Sequence, residues 1–200
     1  MRSEQPEAGR GRAFTVLAVC TGNVARSPAV ERLLRTALGD DTSVTTASAG
    51  THALVGHAIA EPMADLLLRQ GVDPSGFAAR QLEAPMVAEA DLVLTLTRTH
   101  RSAVVSLHPR ALRRAFTLRE LAGLAADLPS DVLEEVRAGR TGAERLAALA
   151  PRALARRGFV RRDPADDDVV DPWRRDLSVY RHAYGQITAA LDDLSAILAR

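Results

Sequence analysis

Lysine is absent from the 200-residue sequence, so arginine supplies all 26 of its basic side chains. These are balanced by 25 acidic residues, which leaves a formal net charge of +1 at pH 7. A chain so close to neutral has no global positive field that would attract nucleic acid, and we expect no such partner. Because arginine is so frequent here, a single arginine indicates a function only when a motif surrounds it.

Cysteine is nearly absent, and the one cysteine is Cys20. A single thiol excludes a disulfide framework within the chain and a multi-cysteine zinc site. The five histidines are scattered, and no carboxylate–histidine spacing typical of a metal site accompanies them. We therefore expect neither a metal nor a cofactor.

Long apolar segments are also missing. No run approaches the roughly 18 apolar residues of a membrane-spanning helix, and residues 1–12 lack the apolar stretch of a signal peptide. The length suits one domain with a real core. We predict a flexible tail at 1–12, a single domain at 13–200, no membrane span and a cytoplasmic location.

Short apolar runs alternate along the chain with segments of helical spacing. Strands are predicted at 13–19, 44–48, 92–94 and, more weakly, 115–118. Helices are predicted at 28–38, 59–67, 97–107 and 177–198. This alternation is typical of an α/β fold with a parallel sheet and helices on both faces. Ligands bind at the carboxyl ends of such strands, and Cys20 follows the first one.

The segment from Cys20 to Ser27 reads Cys-Thr-Gly-Asn-Val-Ala-Arg-Ser and joins the first strand to a helix. Successive N–H groups in so tight a loop form a nest for anions, and the helix N-terminus adds positive potential. The predicted phosphate-binding residues are Thr21, Gly22, Asn23, Val24, Ala25, Arg26 and Ser27.

Four side chains of this loop suit particular tasks. Gly22 and Asn23 tolerate backbone angles that other residues resist. The Arg26 guanidinium can grip two phosphate oxygens. The loop's field favours the thiolate of Cys20, which would attack phosphorus. Ser27 is a plausible N-cap for the helix and a hydrogen-bond donor to that thiolate.

A purely structural interpretation also exists, in which Cys20 is a core residue at a strand end and Arg26 a charge on a helix surface. A bare Cys-x5-Arg pattern arises often by chance. The complete string, with its glycine, asparagine, serine and proline after a buried strand, is far more specific and favours catalysis.

The string Cys-Thr-Gly-Asn-Val-Ala-Arg-Ser-Pro closely resembles the signature of low-molecular-weight protein tyrosine phosphatases. Ser48-Ala49-Gly50-Thr51 resembles the turn after that family's second strand, and Asp171-Pro172-Trp173 resembles its general-acid loop. The resemblance covers roughly residues 13–118 and 168–198. It implies a four-stranded parallel sheet, no metal, and hydrolysis of phosphotyrosine in proteins through a phosphocysteine, with inorganic phosphate as product.

The departing oxygen of a phosphate ester needs a proton. The resemblance assigns this role to Asp171, and the same carboxylate would then serve as base toward water. Two other Asp-Pro pairs, at Asp73 and Asp163, lack the flanking residues of the motif. Asp168 is the alternative acid within the same loop.

Several positions depart from the family pattern. Many members carry a second cysteine that protects the nucleophile, and Ala25 occupies that position here. The predicted substrate walls are Leu54, His52 and Trp173, although Trp173 could instead fill the core. At the position of Val24, tyrosine-directed members of the family tend to have a bulky aliphatic residue, and arginine phosphatases have threonine. Val24 therefore favours phosphotyrosine as the substrate.

Residues 120–165 form a longer segment than the resemblance implies, and we predict a helical insertion that acts as a lid, a docking surface or a neutral addition. Two alternative functions stay open from the sequence. One is a phosphatase of the same fold acting on phosphoarginine or small phosphomonoesters. The other is an idle phosphate-binding regulatory module.

Overall fold

The computed structural model describes residues 12–160 and 163–198 and contains one parallel sheet. Most of the predicted tail at 1–12 therefore lies outside the described residues. The strands pair in the order β2-β1-β3-β4, which confirms the predicted four-stranded parallel sheet. Their bounds are β1 (Phe14–Cys20), β2 (Val44–Gly50), β3 (Leu92–Thr95) and β4 (Ala115–Thr117).

Helices follow or separate the strands along the chain. They are α1 (Arg26–Leu38), α2 (Glu61–Arg69), α3 (Ala84–Glu89), α4 (Arg98–Leu107), α5 (Leu118–Ala126), α6 (Ser130–Arg137), α7 (Gly142–Arg156) and α8 (Leu177–Leu198). Two short 3-10 turns lie at Pro109–Arg113 and Pro164–Asp167. The short helix α3 was not predicted, because its six residues are too few to show a helical period.

Both faces of the sheet are covered, as the continuous apolar strands predict. The larger core packs α1, α5, α7 and α8 on one face and includes Phe116, Leu149 and Ile187. The smaller core packs α3 and α4 on the other face around Val93 and Val104. None of the helices in the described part of the chain is both long and apolar enough to cross a membrane.

The segment 120–165 supplies most of α5 and all of α6 and α7, and residues 161 and 162 within it lie outside the described part. Its helices pack against α8 and contribute Leu121, Val136 and Leu149 to the larger core. This segment is thus integrated into the hydrophobic interior on the side of α8.

Two details of the loop differ from expectation. The prediction that Ser27 is the N-cap is wrong, since α1 already begins at Arg26 and the cap position is Ala25, without a side-chain cap. Ser27 lies inside the first turn, and its hydroxyl contacts the Cys20 sulfur. Asn23 adopts the left-handed region, with φ of 54°, as its residue type allows, whereas Gly22 does not use the positive φ that glycine permits.

Candidate active site

Cys20 ends β1 with its side chain almost fully buried, at 2% exposure. Its Sγ lies 2.9 Å from Ser27 Oγ, and that oxygen also accepts a bond of 3.0 Å from Asn23 Nδ2. Because Asn23 donates to Ser27, the serine proton is left to donate, and Sγ is closer than the Ala49 carbonyl at 3.4 Å. The arrangement presents a hydroxyl donor to the sulfur of Cys20.

The carbonyl groups of the phosphate loop are held by the segment that follows β2. Four backbone amides of residues 51–60 donate to loop carbonyls over 2.6–3.0 Å. The bonds run from Thr51 to Cys20, from His52 to Thr21, from Leu54 to Gly22 and from Ala60 to Val24. In a trans peptide the N–H points opposite to the carbonyl. The loop's N–H groups therefore point away from this segment, as an anion nest requires.

A buried polar network supports the loop from below. The Asn23 side chain donates to Ser48 Oγ over 2.9 Å and accepts from the Arg80 backbone N–H over 2.8 Å. Ser48 in turn donates to the buried Glu31 carboxylate over 2.6 Å. These bonds hold Asn23 in its left-handed conformation, whose cost they offset.

Arg26 and Asp171 meet in space although most of the chain separates them. The Arg26 Nη2 atom lies 2.9 Å from Asp171 Oδ2, and Nη1 donates to the Val169 carbonyl over 3.2 Å. Arg26 is buried, whereas the Asp171 side chain is 55% exposed. The structure thus places the predicted clamp and the predicted acid side by side.

The loop that carries Asp171 is anchored from two directions. The Val169 N–H donates to the Leu96 carbonyl over 2.8 Å, and the Val170 N–H donates to Gln186 Oε1 on α8 over 2.9 Å. Asp168 accepts from the Arg98 N–H over 2.7 Å and pairs with the Arg98 guanidinium. Asp168 is therefore paired with Arg98, whereas Asp171 is paired with Arg26 at the phosphate loop.

A cavity of about 120 Å³ lies over the phosphate loop. Its lining contains every predicted site residue except Asn23 and Ser27, which are buried beneath it. The lining residues are Cys20, Thr21, Gly22, Val24, Ala25, Arg26, His52, Leu54, Asp171 and Trp173. Trp173 is 41% exposed, so the alternative that it fills the core is wrong.

One residue at the site was not found from the sequence. His100, on the first turn of α4, is buried, and its Nε2 lies 2.9 Å from Thr21 Oγ1. Burial, and then the positive charge of Arg26, lower the His100 pKa from 6.5 to about 4. His100 is 79 residues from Thr21 in the chain, and no local spacing connects the two.

The fold and the site together define an α/β protein with a phosphate loop of the cysteine-dependent phosphatase type. Residues 15–155 match the family model described as low molecular weight phosphotyrosine protein phosphatase. The chain belongs to this family, as the resemblance of its loop implies.

Individual relatives agree with the family match. The low molecular weight protein-tyrosine-phosphatase Etp of Escherichia coli K12 is 41% identical over 95 residues, which are 48% of this chain and 62% of that protein. The matched segment therefore spans less than two thirds of this relative's length.

Solved structures share the fold at lower identity. The Erwinia amylovora tyrosine phosphatase AmsI has a TM-score of 0.66 at 22% identity and covers 96% of this chain and 97% of its own. The YwlE arginine phosphatase from Geobacillus stearothermophilus has a TM-score of 0.65 at 22% identity, with 92% and 91% covered.

Proposed function

We propose that this protein is a metal-independent phosphatase that hydrolyses phosphotyrosine in proteins through a phosphocysteine intermediate. The observation that carries the proposal is the meeting of Arg26 and Asp171, 2.9 Å apart, in the cavity that also contains Cys20. A nucleophile, an anion clamp and a proton donor then surround one small volume, and hydrolysis of a phosphate ester needs all three. A module that only binds phosphate would need the phosphate loop but no proton donor such as Asp171.

In the first step the Cys20 thiolate attacks phosphorus, so that a P–S bond forms while the bond from phosphorus to the tyrosine oxygen breaks. Asp171 donates its proton to the departing oxygen, which leaves as the phenol. The loop N–H groups and the Arg26 guanidinium stabilise the charge on the equatorial oxygens. Arg26 can do so while it touches the acid loop, because its fork has five N–H donors.

In the second step the Asp171 carboxylate accepts a proton from a water molecule whose oxygen attacks phosphorus. The P–S bond breaks, inorganic phosphate forms and the electron pair returns to Cys20 as a thiolate. Ser27, 2.9 Å from Sγ, donates a hydrogen bond that stabilises this leaving group.

The walls of the cavity support an aromatic substrate. Leu54 and Trp173 line the opening, and Trp173 offers a partly exposed ring for stacking on a phosphotyrosine. The Arg174 guanidinium lies 5.7 Å from the centre of that ring and adds positive charge beside it. We place the enzyme in the cytoplasm, where reducing conditions keep a lone catalytic thiol intact.

The direct test replaces Cys20 with serine and measures hydrolysis of p-nitrophenyl phosphate, a phosphotyrosine peptide and phosphoarginine. We expect the wild-type protein to prefer the two aryl phosphates, and Cys20→Ser to reduce turnover by about 10³-fold or more, since the hydroxyl is a far weaker nucleophile. Retained turnover in the variant would refute the nucleophile. A preference for phosphoarginine would instead show that the enzyme is a phosphatase of the same fold that acts on phosphoarginine.

The role of Asp171 is tested with Asp171→Asn and a series of aryl phosphates. We expect the rate of phosphocysteine formation to fall roughly 10²-fold or more for poor leaving groups and much less for p-nitrophenol, which departs without a proton. Asp73→Asn is the matched control, because Asp73 also precedes a proline but is exposed and forms hydrogen bonds with Ser75. Equal losses across the series would assign the acid to another group.

A further inference from the structure

We propose that His100 is a positioning residue of this active site, which holds the Thr21 side chain so that the Thr21 hydroxyl donates its proton to the bound phosphate. The inference rests on the proposed function, since it names a further determinant of phosphate binding at the same loop. It begins from the contact between His100 Nε2 and Thr21 Oγ1, 2.9 Å apart.

We assign the proton of the His100 ring from the hydrogen bonds around it. Thr97 Oγ1 accepts a bond from the His100 backbone N–H over 3.2 Å and lies 2.9 Å from Nδ1. We assign the Thr97 hydroxyl as the donor to Nδ1, because this direction uses its proton while the oxygen accepts from the backbone. A neutral imidazole then has its hydrogen on Nε2, which donates to Thr21.

This tautomer fixes the direction of the Thr21 hydroxyl. With its oxygen accepting from His100, Thr21 keeps its proton for another acceptor. Thr21 lines the same cavity as Cys20 and Arg26, and an anionic phosphate oxygen is the strongest acceptor that this cavity would admit. The Thr21 carbonyl is held separately by the His52 N–H, so the residue is fixed through both its backbone and its side chain.

The charges around His100 keep the ring neutral. Burial and Arg26 disfavour the imidazolium, while Asp171 and Asp168 favour it, and the first two prevail because the pKa is about 4. Protonation would make both ring nitrogens donors. The Nδ1–H would then face the proton of the Thr97 hydroxyl, so that this hydrogen bond is lost. Above about pH 5 the hydrogen-bond chain from Thr97 to Thr21 is therefore intact.

The position of His100 also links the two loops of the site. The segment 96–100, which runs from the end of β3 into the first turn of α4, accepts the Val169 N–H at the Leu96 carbonyl and binds Asp168 through Arg98. The same segment contacts the phosphate loop through the hydrogen bond between His100 and Thr21. One short segment thus contacts both the phosphate-binding residues and the loop that carries Asp171.

The experiment compares His100→Phe with His100→Gln and uses calorimetry to measure the dissociation constant of inorganic phosphate. Phenylalanine fills the site without a hydrogen bond, and we expect phosphate to bind roughly tenfold more weakly. Glutamine restores a donor near the position of Nε2, so binding should return to within about threefold of the wild type. His182→Gln, an exposed change on α8, is the matched control and should bind phosphate normally.

Thr21→Val closes a double-mutant cycle with His100→Phe. If His100 acts through Thr21, each single variant weakens phosphate binding by a similar factor and the double variant is little weaker than either. Additive effects would overturn the proposal. It would also be overturned if His100→Phe lowered only the free energy of unfolding and left phosphate binding within about twofold, as a merely structural residue would do.

Phosphate binding tests the role of His100, whereas turnover of an aryl phosphate tests the proposed function on which this inference rests. The phosphate dissociation constant requires no catalysis, so it tests His100 even in a protein that fails to hydrolyse aryl phosphates. A wild-type protein that binds phosphate without hydrolysis would refute the proposed function alone. In an active wild type, kcat/KM for p-nitrophenyl phosphate should follow the same order as phosphate affinity across the His100 variants.

Discussion

At the scale of single residues, His100 is a histidine whose surroundings oppose its charge. It is 5% exposed, it faces Arg26, and both of its ring nitrogens are occupied by threonine hydroxyls. These surroundings lower its pKa from 6.5 to about 4. A pKa that is lower in the folded than in the unfolded state makes the free energy of unfolding depend on pH. His100 should therefore contribute to the pH dependence of unfolding.

Between pH 6.5 and about 4 the unfolded chain protonates this histidine while the folded protein does not. Protons then favour unfolding, so the contribution of His100 to stability is complete above pH 6.5 and falls as the pH approaches 4. Relative to His100→Gln, the wild-type protein should lose on the order of 3 kcal/mol across this window. Urea denaturation at a series of pH values measures it, with His182→Gln expected to follow the wild type. If the free energy of unfolding changed with pH in the same way for the wild type and His100→Gln, the lowered pKa of His100 would be contradicted.

At the scale of elements, β2 and the phosphate loop approach each other more closely than side chains allow. A Cβ built on Gly50 would lie 2.4 Å from the Thr21 carbonyl oxygen and 3.0 Å from the Asn23 backbone nitrogen. The Gly50 carbonyl also accepts from Leu82, which holds the strand end in place. The absence of a side chain at Gly50 therefore permits the close approach on which the loop's hydrogen bonds depend.

Gly50→Ala should displace the loop, because the clash is with backbone atoms and no flexible side chain can yield. We expect a loss of about 1–3 kcal/mol in unfolding free energy and phosphate binding weakened roughly tenfold or more. Gly185→Ala on α8 is the control. Nothing lies within 4 Å of its new methyl group, so it should stabilise the helix by about 0.5–1 kcal/mol. Normal phosphate affinity in Gly50→Ala would show that the loop tolerates the shift.

At the scale of the whole molecule, a buried carboxylate joins helices from distant parts of the chain. Glu120 on α5 pairs with Arg101 of α4 and with Arg157 just beyond α7, each at 2.7 Å. Arg157 also lies over the Phe116 ring, 4.5 Å from its centre, and donates to the Ala115 carbonyl. This cluster ties the 120–165 segment to β4 and α4.

Glu120→Gln should cost about 3 kcal/mol of unfolding free energy, because it leaves two partly buried guanidinium groups without their carboxylate. Glu135→Gln is the matched control, since its pair with Arg152 is largely exposed and should contribute less than about 1 kcal/mol. Chemical denaturation of the two variants measures both values. Similar losses in both would show that burial does not strengthen the Glu120 cluster.

The sequence by itself predicted the phosphate loop and the chemistry proposed for it. Cys20 to Ser27 is contiguous, and an anion nest followed by a helix N-terminus depends on local backbone geometry. The parallel sheet was predictable for a similar reason, since its strands are short apolar runs that alternate with helical periods. The Asp-Pro-Trp motif predicts Asp171 as the acid because it resembles a known acid loop.

Only the tertiary structure decided which distant groups surround that loop. It placed Asp171 against Arg26 and committed Asp168 to Arg98. It also revealed His100. These contacts join segments far apart in sequence, and their formation depends on sheet order and helix packing. No spacing of residue types along the chain encodes them.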